Sequence, residues 1–231
     1  MPFRRVFYPD FVLPPEGGGG GFALSDLFSG AEAGFAFDYT DLSTLYQDTG
    51  RTTLCTAAAD PINGADDVSG NANHIGWSSG VVVGGSAGAY YADLTDDFIQ
   101  LPNATPDPAY FLIVLDCQDT KGIIARNVNS RYFGATRQSG GTLIDQAIVA
   151  AVYTINGNNP TTSAQLYTEL TTGSQPKLLE VDNIDGGHQY TIGGYTAAGF
   201  DLTAKIYGAI CRDTDFSAGE ITNVLSYFGA F

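Results

Sequence analysis

Asp66, Asp67, Asn71, Asn73 and His74 crowd carboxylates, amide oxygens and an imidazole into one short stretch. Oxygen donors of this kind suit calcium. The EF-hand spacing with its closing Glu is missing, however, and Asp, Ser, Gly and Asn are also the residues of Asx turns and left-handed backbone. The stretch reads as a structural turn that His74 ties down by a hydrogen bond, with no metal assigned and calcium as the alternative. His188, beside Gly186 and Gly187, reads as a hairpin-tip residue. Two histidines in turn contexts, with no Gly-x-Ser-x-Gly elbow, give no nucleophile, base and orienting acid. Gly17 to Gly21 is not a phosphate loop, because no Lys-Ser/Thr follows it. Cys55, Cys117 and Cys211 are odd in number, far apart and in no zinc spacing, so they read as reduced, buried, small hydrophobes. The 25 acidic residues offer many carboxylate pairs of the kind that cleaves glycosidic bonds. No catalytic residue, metal or cofactor is assigned on that ground, and the expectation is a protein without enzymatic activity.

Binding chemistry has sharper candidates. Trp77, Tyr90 and Tyr91 lie in loop-like sequence and offer aromatic faces on which a sugar ring can stack, although aromatics also fill cores. Lys121, Arg126, Arg131 and Arg137 gather four of the ten basic residues. They form either a contact for an acidic neighbour or anionic sugar, or a solvated strand face. Phe3, Arg4, Arg5, Phe7, Tyr8 and Phe11 interleave aromatic and cationic side chains at the start of the chain, a pattern suited to docking on another protein.

The elements that must position these residues follow from composition. Of 231 residues, 44% are apolar and 15% charged, and 10 basic against 25 acidic side chains give a net charge of −15. Such a chain can bury a core. Its acidity repels phosphate backbones and anionic membranes, so neither nucleic acid nor membrane is an expected partner. No apolar run approaches the roughly 20 residues of a membrane span, and MPFRRVFYPDF lacks a secretory apolar stretch, so a soluble protein made in the cytoplasm is expected. The 29 Gly, 13 Tyr and 14 Phe against one Met favour short strands and tight turns, hence an all-β fold.

Residues 1–21 stand apart as an N-terminal extended arm with a glycine linker. Pro2, Pro9, Pro14 and Pro15 block both helix and ladder pairing, and five consecutive glycines make a flexible joint of about 12 Å. Residues 22–231 have even composition and are expected to form one domain. Ala109 to Cys117 is a nearly continuous apolar run, the signature of a central strand covered on both faces. Further strands are expected at 122–125, 131–136, 148–155, 164–170, 177–181, 189–192 and 204–211, with hairpin turns at Asn156-Gly157 and Asp185-Gly186-Gly187. Many short strands at this spacing predict a two-sheet antiparallel sandwich. At the end of the chain, Ser217 with Glu220 forms a capping box, and Ile221, Val224, Leu225 and Phe228 recur at helical spacing before Gly229. A short C-terminal helix should pack on the sandwich.

Six segments carry a family likeness. Phe35-Ala-Phe-Asp38, Asp41-Leu-Ser-Thr-Leu-Tyr-Gln-Asp48 and Asp67-Val-Ser-Gly-Asn-Ala-Asn-His74 resemble the opening of laminin-G-like, concanavalin A-like domains of tailed-bacteriophage structural proteins. Ala204-Lys-Ile-Tyr-Gly-Ala-Ile-Cys-Arg212 and Phe216-Ser-Ala-Gly-Glu-Ile221 are similar to the last strand and terminal helix of that family, and Tyr91 to Pro102, with Phe98-Ile-Gln-Leu101, to the strand before the central one. The resemblance implies a jelly-roll sandwich and a virion protein, made in the host cytoplasm and placed in the particle. Its arm would anchor it to other capsid or tail proteins, as a head-decoration, head-fibre or tail-associated adhesion component that is a homo-oligomer in the particle. A host-surface glycan is the implied ligand. The alternatives are a glycan-degrading lyase or glycosidase on the same fold, or a pure capsid cement protein with no ligand.

Overall fold

The computed structural model describes residues 21–76, 80–86, 89–95, 97–102, 105–117, 121–127, 132–137, 152–155, 157–160, 162–172, 176–184, 186–193 and 202–229; for residues 86, 121–127, 132–137, 152, 153, 163, 167 and 183 it describes the backbone alone. In chain order the first strands are β1 Gly34–Asp38, β2 Leu45–Tyr46, β3 Gly64–Ala65, β4 Ile75–Gly76, β5 Val82–Ser86, β6 Ala89–Leu94 and β7 Ile99–Gln100. They are followed by β8 Ala109–Cys117, β9 Lys121–Asn127, β10 Tyr132–Arg137, β11 Val152–Ile155, helix α1 Ser163–Thr171, β12 Lys177–Ile184, β13 Tyr190–Ile192, β14 Ala204–Arg212 and helix α2 Ala218–Phe228. The architecture is thus mostly antiparallel β-sheet with short helices, as composition predicts.

A seven-stranded sheet runs in the order β11-β12-β8-β14-β6-β5, and β1 joins it by pairing with β14. β14 is its hub. One edge of β14 pairs with β8 along the whole strand; the other is shared between β6, at Ala204 to Ile206, and β1, at Gly208 to Arg212. Among the described residues, a four-stranded sheet (β10-β9-β13-β7) and a three-stranded one (β2-β3-β4) complete the β structure. β8 explains why its sequence reads as continuously apolar. Phe111, Ile113 and Leu115 belong to a large buried cluster that also holds Ile99, Tyr190 and Ile192 of the four-stranded sheet and Leu45, Ala65 and Ile75 of the three-stranded one. Leu112 and Val114 point to the opposite face, into a second cluster with Leu27, Phe28, Ile221, Val224 and Phe228. Two faces buried against different partners require apolar residues at both parities.

α2 forms as its sequence dictates. Ser217 Oγ accepts from the Glu220 N–H at 3.3 Å and the Glu220 carboxylate accepts from the Ser217 N–H at 2.7 Å. Gly229, at φ +61°, ends the helix in the left-handed region and donates back to the Leu225 and Ser226 carbonyls. Its stripe Ile221, Val224 and Phe228 is buried, and the Phe228 ring lies so close over Gly208 that a Cβ there would fall 2.4 Å from it.

Three expectations need correction. Residues 164–170 are not a strand but α1, capped by Thr162, whose side chain accepts from the Gln165 N–H at 3.2 Å. Leu166 and Leu170 are its buried residues, and a spacing of four satisfies a helical stripe as well as an alternating strand. At the expected Asn156-Gly157 hairpin, where Asn156 lies outside the described residues, Ile155 and Asn158 exchange two 2.8 Å backbone hydrogen bonds, but the next element is α1 instead of a returning strand. The turn after β12 makes no hairpin either, because β12 and β13 lie in different sheets and it carries the chain between them.

Candidate functional site

The Asp67 to His74 stretch is a clasp on β1. Asp67 is buried, and its Oδ1 accepts from the Ala36 and Ser69 N–H groups, while its Oδ2 accepts from the Asn73 N–H, all at 2.9 Å. The Asn71 and Asn73 amides donate to the Gly34 carbonyl at 3.1 and 2.7 Å, and His74 Nδ1 accepts from the Asp67 N–H at 3.0 Å. These groups hold backbone, the role expected of His74, whose Nδ1 also lies 3.1 Å from Asp66, a carboxylate that accepts from Tyr46 and Arg51.

A second acidic group was not singled out by sequence. Glu180 and Asp182 alternate along β12 and so share a face with Leu178, on the side of the sheet that α2 covers. Asp215, in the loop between β14 and α2, brings a third carboxylate, and one oxygen from each residue lies within 4.8 Å of the others. Burial, followed by the charges of Asp182 and Asp215, pushes Glu180 up to about 8; burial and then Asp215 push Asp182 up to about 6. Asp182 Oδ1 is buried without a hydrogen-bond partner. Neighbouring Tyr110 is raised as well, first by burial and then by Asp215 and Asp182. Such a trio retains a proton near neutrality and can donate it, and its oxygen donors are of the type that binds hard cations.

Arg212 fixes the loop that carries Asp215. Its buried guanidinium donates to the carbonyls of Leu27, Thr214 and Asp215 and, bidentately, to Glu220 at 2.6 and 2.9 Å. It stacks on the Phe216 ring at 4.1 Å. The guanidinium holds the Glu220 carboxyl down at about 2.

The binding residues expected from sequence separate. Tyr90 and Tyr91 are half-buried strand residues of β6, not loop residues, because each lies in register with a glycine of β5. Tyr90 packs against the large cluster, whereas Tyr91 faces the other way. Its ring is 5.7 Å from that of Tyr207, and Lys205 Nζ sits 5.4 Å from its centroid and 2.9 Å from Asp116. Tyr207, Lys205 and Asp116 escaped the sequence reading because they come from strands distant along the chain. Of the basic group, β9 and β10 set Arg137 opposite Lys121, and Arg126 opposite Tyr132 at the other parity of β9, so the backbone does not gather them on one face. Arg131 and Trp77 lie outside the described residues, as do the anchor candidates Phe3, Arg4, Arg5, Phe7, Tyr8 and Phe11. Among the described residues the three cysteines are buried, and no helix is long and apolar enough to cross a membrane.

Comparison of the chain with protein-family models, curated proteins and solved structures finds no match.

Proposed function

We propose that this chain is a bacteriophage virion structural protein, in which an N-terminal arm anchors a laminin-G-like, jelly-roll domain that meets host-surface glycans. The observation that carries the reading is the convergence of the segments that bear the resemblance. Phe35 to Asp38 pairs with Gly208 to Arg212, residues from opposite ends of the chain. The Asp67 to Asn73 turn bonds to the same β1, and the helix capped by Ser217 packs over the same sheet. Segments matched in order along a sequence would meet in this way if the likeness is one of fold. Charge supports an outward-facing role, since a net charge of −15 favours solubility and repels polyanions. The arm supplies contacts to other capsid or tail proteins, the domain is repeated in the particle as a homo-oligomer, and binding rather than chemistry is its task.

Labelling intact particles of the encoding phage with an antibody to residues 22–231 tests the placement. Regular labelling of head or tail is expected; unlabelled particles would overturn it. One observation favours a second reading, glycan cleavage: the Glu180, Asp182 and Asp215 carboxylates place a protonated acid beside its neighbours, as glycosidases do. Depolymerisation of host-surface polysaccharide by the purified protein, abolished in a folded Glu180→Gln variant, would establish that reading in place of the first.

A further inference from the structure

The geometry points to a stacking subsite for a neutral sugar on the face of the seven-stranded sheet that turns away from the large cluster, built by Tyr91, Tyr207, Lys205, Asp93 and Asp116 over Gly84. It rests on the glycan part of the reading above and gives that ligand a place and a charge class. Ala92, Leu94, Ala204 and Ile206 point into the large cluster, so their neighbours Tyr91, Asp93 and Lys205 point away from it. Strand register then arranges two rows. In one, Tyr91 stands directly opposite Gly84, and its ring occupies the space of the missing side chain, since a Cβ at Gly84 would fall 2.1 Å from a ring carbon. The Tyr207 ring follows, its plane 53° from that of Tyr91. In the other row, Asp93 stands opposite Lys205 and Lys205 opposite Asp116.

An aromatic ring over glycine stabilises a strand pair by itself. The second half-buried ring, Tyr207 on β14, packs against the second cluster, and the Lys205 ammonium lies between the Tyr91 ring and the Asp116 carboxylate, so both rings and the charges beside them are fixed in place. A pyranose presents an apolar C–H face with a rim of hydroxyls. Two tyrosines would meet the face, and two carboxylates and one ammonium, one residue row away, would meet the rim. Rigid strands hold all of them. The charge class follows from arithmetic on this face: Asp93, Lys205 and Asp116 sum to −1, and the whole chain carries −15, so an anionic glycan is repelled. A neutral hexose or N-acetylhexosamine chain fits.

The test titrates the full-length protein calorimetrically with hexasaccharides of glucose, galactose, mannose and N-acetylglucosamine, and with polygalacturonate as the anionic probe. At least one neutral oligosaccharide is expected to bind and polygalacturonate is not. Tyr91→Ala should weaken binding at least ten-fold. Because that change also uncovers Gly84, Tyr207→Leu provides a second variant that keeps apolar volume but loses the aromatic face; it should weaken binding at least five-fold with an unchanged circular dichroism spectrum. Sugar binding that is unaltered in folded Tyr207→Leu and Tyr91→Ala would overturn the subsite and leave glycan binding standing. Binding of polygalacturonate alone would overturn the charge class, and binding of no sugar would overturn both the subsite and the glycan part of the proposed function.

Discussion

Arg212 carries a charge into the second cluster, where its side chain is 4% exposed. A buried cation is stable only when its hydrogen bonds are met, and here three carbonyls and the Glu220 carboxylate meet them. Arg212→Met should therefore cost about 3 to 5 kcal/mol in chemical denaturation, because it strands Glu220 and frees the loop holding Asp215. Glu180 behaves in the opposite sense. Its folded value of about 8 lies above its ordinary 4.5, so between these the unfolded chain has lost a proton that the folded chain keeps. Stability linked to this proton is fully present below pH 4.5 and is lost as pH rises through 8. Glu180→Gln, which fixes the neutral form, should leave stability unchanged at pH 4 and raise it by about 1 to 3 kcal/mol at pH 9 in thermal melts. Equal stability of the two proteins at pH 9 would remove the cost of burying the Glu180 charge, and its repulsion by Asp182 and Asp215, from the account. Glu220, held down at about 2, contributes stability that is present above 4.5 and lost as pH falls through 2. The contributions of these two groups taken together are greatest in mildly acidic solution.

Among the elements, α2 is the clearest case of local sequence and packing agreeing. Its box of Ser217 and Glu220 satisfies backbone groups at the start, Gly229 closes the end, and the stripe between them covers Ala36, Leu112, Val114 and Ile210 of the sheet. Glu220 serves twice, as cap partner and as counter-ion of Arg212. Ser217→Ala removes the acceptor for the Glu220 N–H and the hydroxyl that bonds the Glu220 carboxylate, and should cost about 1 kcal/mol. Glu220→Ala should cost more than that, since it also leaves a buried guanidinium partly unpaired. A calorimetric melt of both variants checks the order.

For the whole molecule, the prediction concerns the arm. Among the described residues, the members of both buried clusters start no earlier than Phe22, which packs edge to face on Tyr227 with ring centroids 6.0 Å apart. Deleting residues 1–16 should then shift the melting temperature by less than about 2 °C, since the strands β1 to β14 all follow that segment. Incorporation into particles should fall sharply. Phe3, Phe7, Tyr8 and Phe11 would each bury about 150 to 250 Å² when docked on a neighbour, enough to offset ordering costs of roughly 1 to 2 kcal/mol per fixed residue. Normal incorporation of the truncated protein would refute the anchor, and loss of folding would make the arm part of the core.

What was legible in the residues alone is what short-range physics decides. The capping box and stripe of α2, the doubly covered strand from Ala109 to Cys117, the buried cysteines and the turn that His74 ties down each depend on neighbours within a few positions, or on burial that composition forces. α1 was misread because Leu166 and Leu170 fit both periods, and the Thr162 cap was needed to choose. The Asp185 turn looked like a hairpin because turn chemistry specifies a reversal, not which sheet receives the next strand. The acidic trio and the row of Tyr91, Tyr207 and Lys205 were invisible for a related reason. Asp215 reaches β12 only through the Arg212 knot, and Lys205 reaches Asp93 and Asp116 only through the pairing of β14 with β6 and β8. Register between distant strands is set by the fit of whole faces in the core, and no local spacing encodes it.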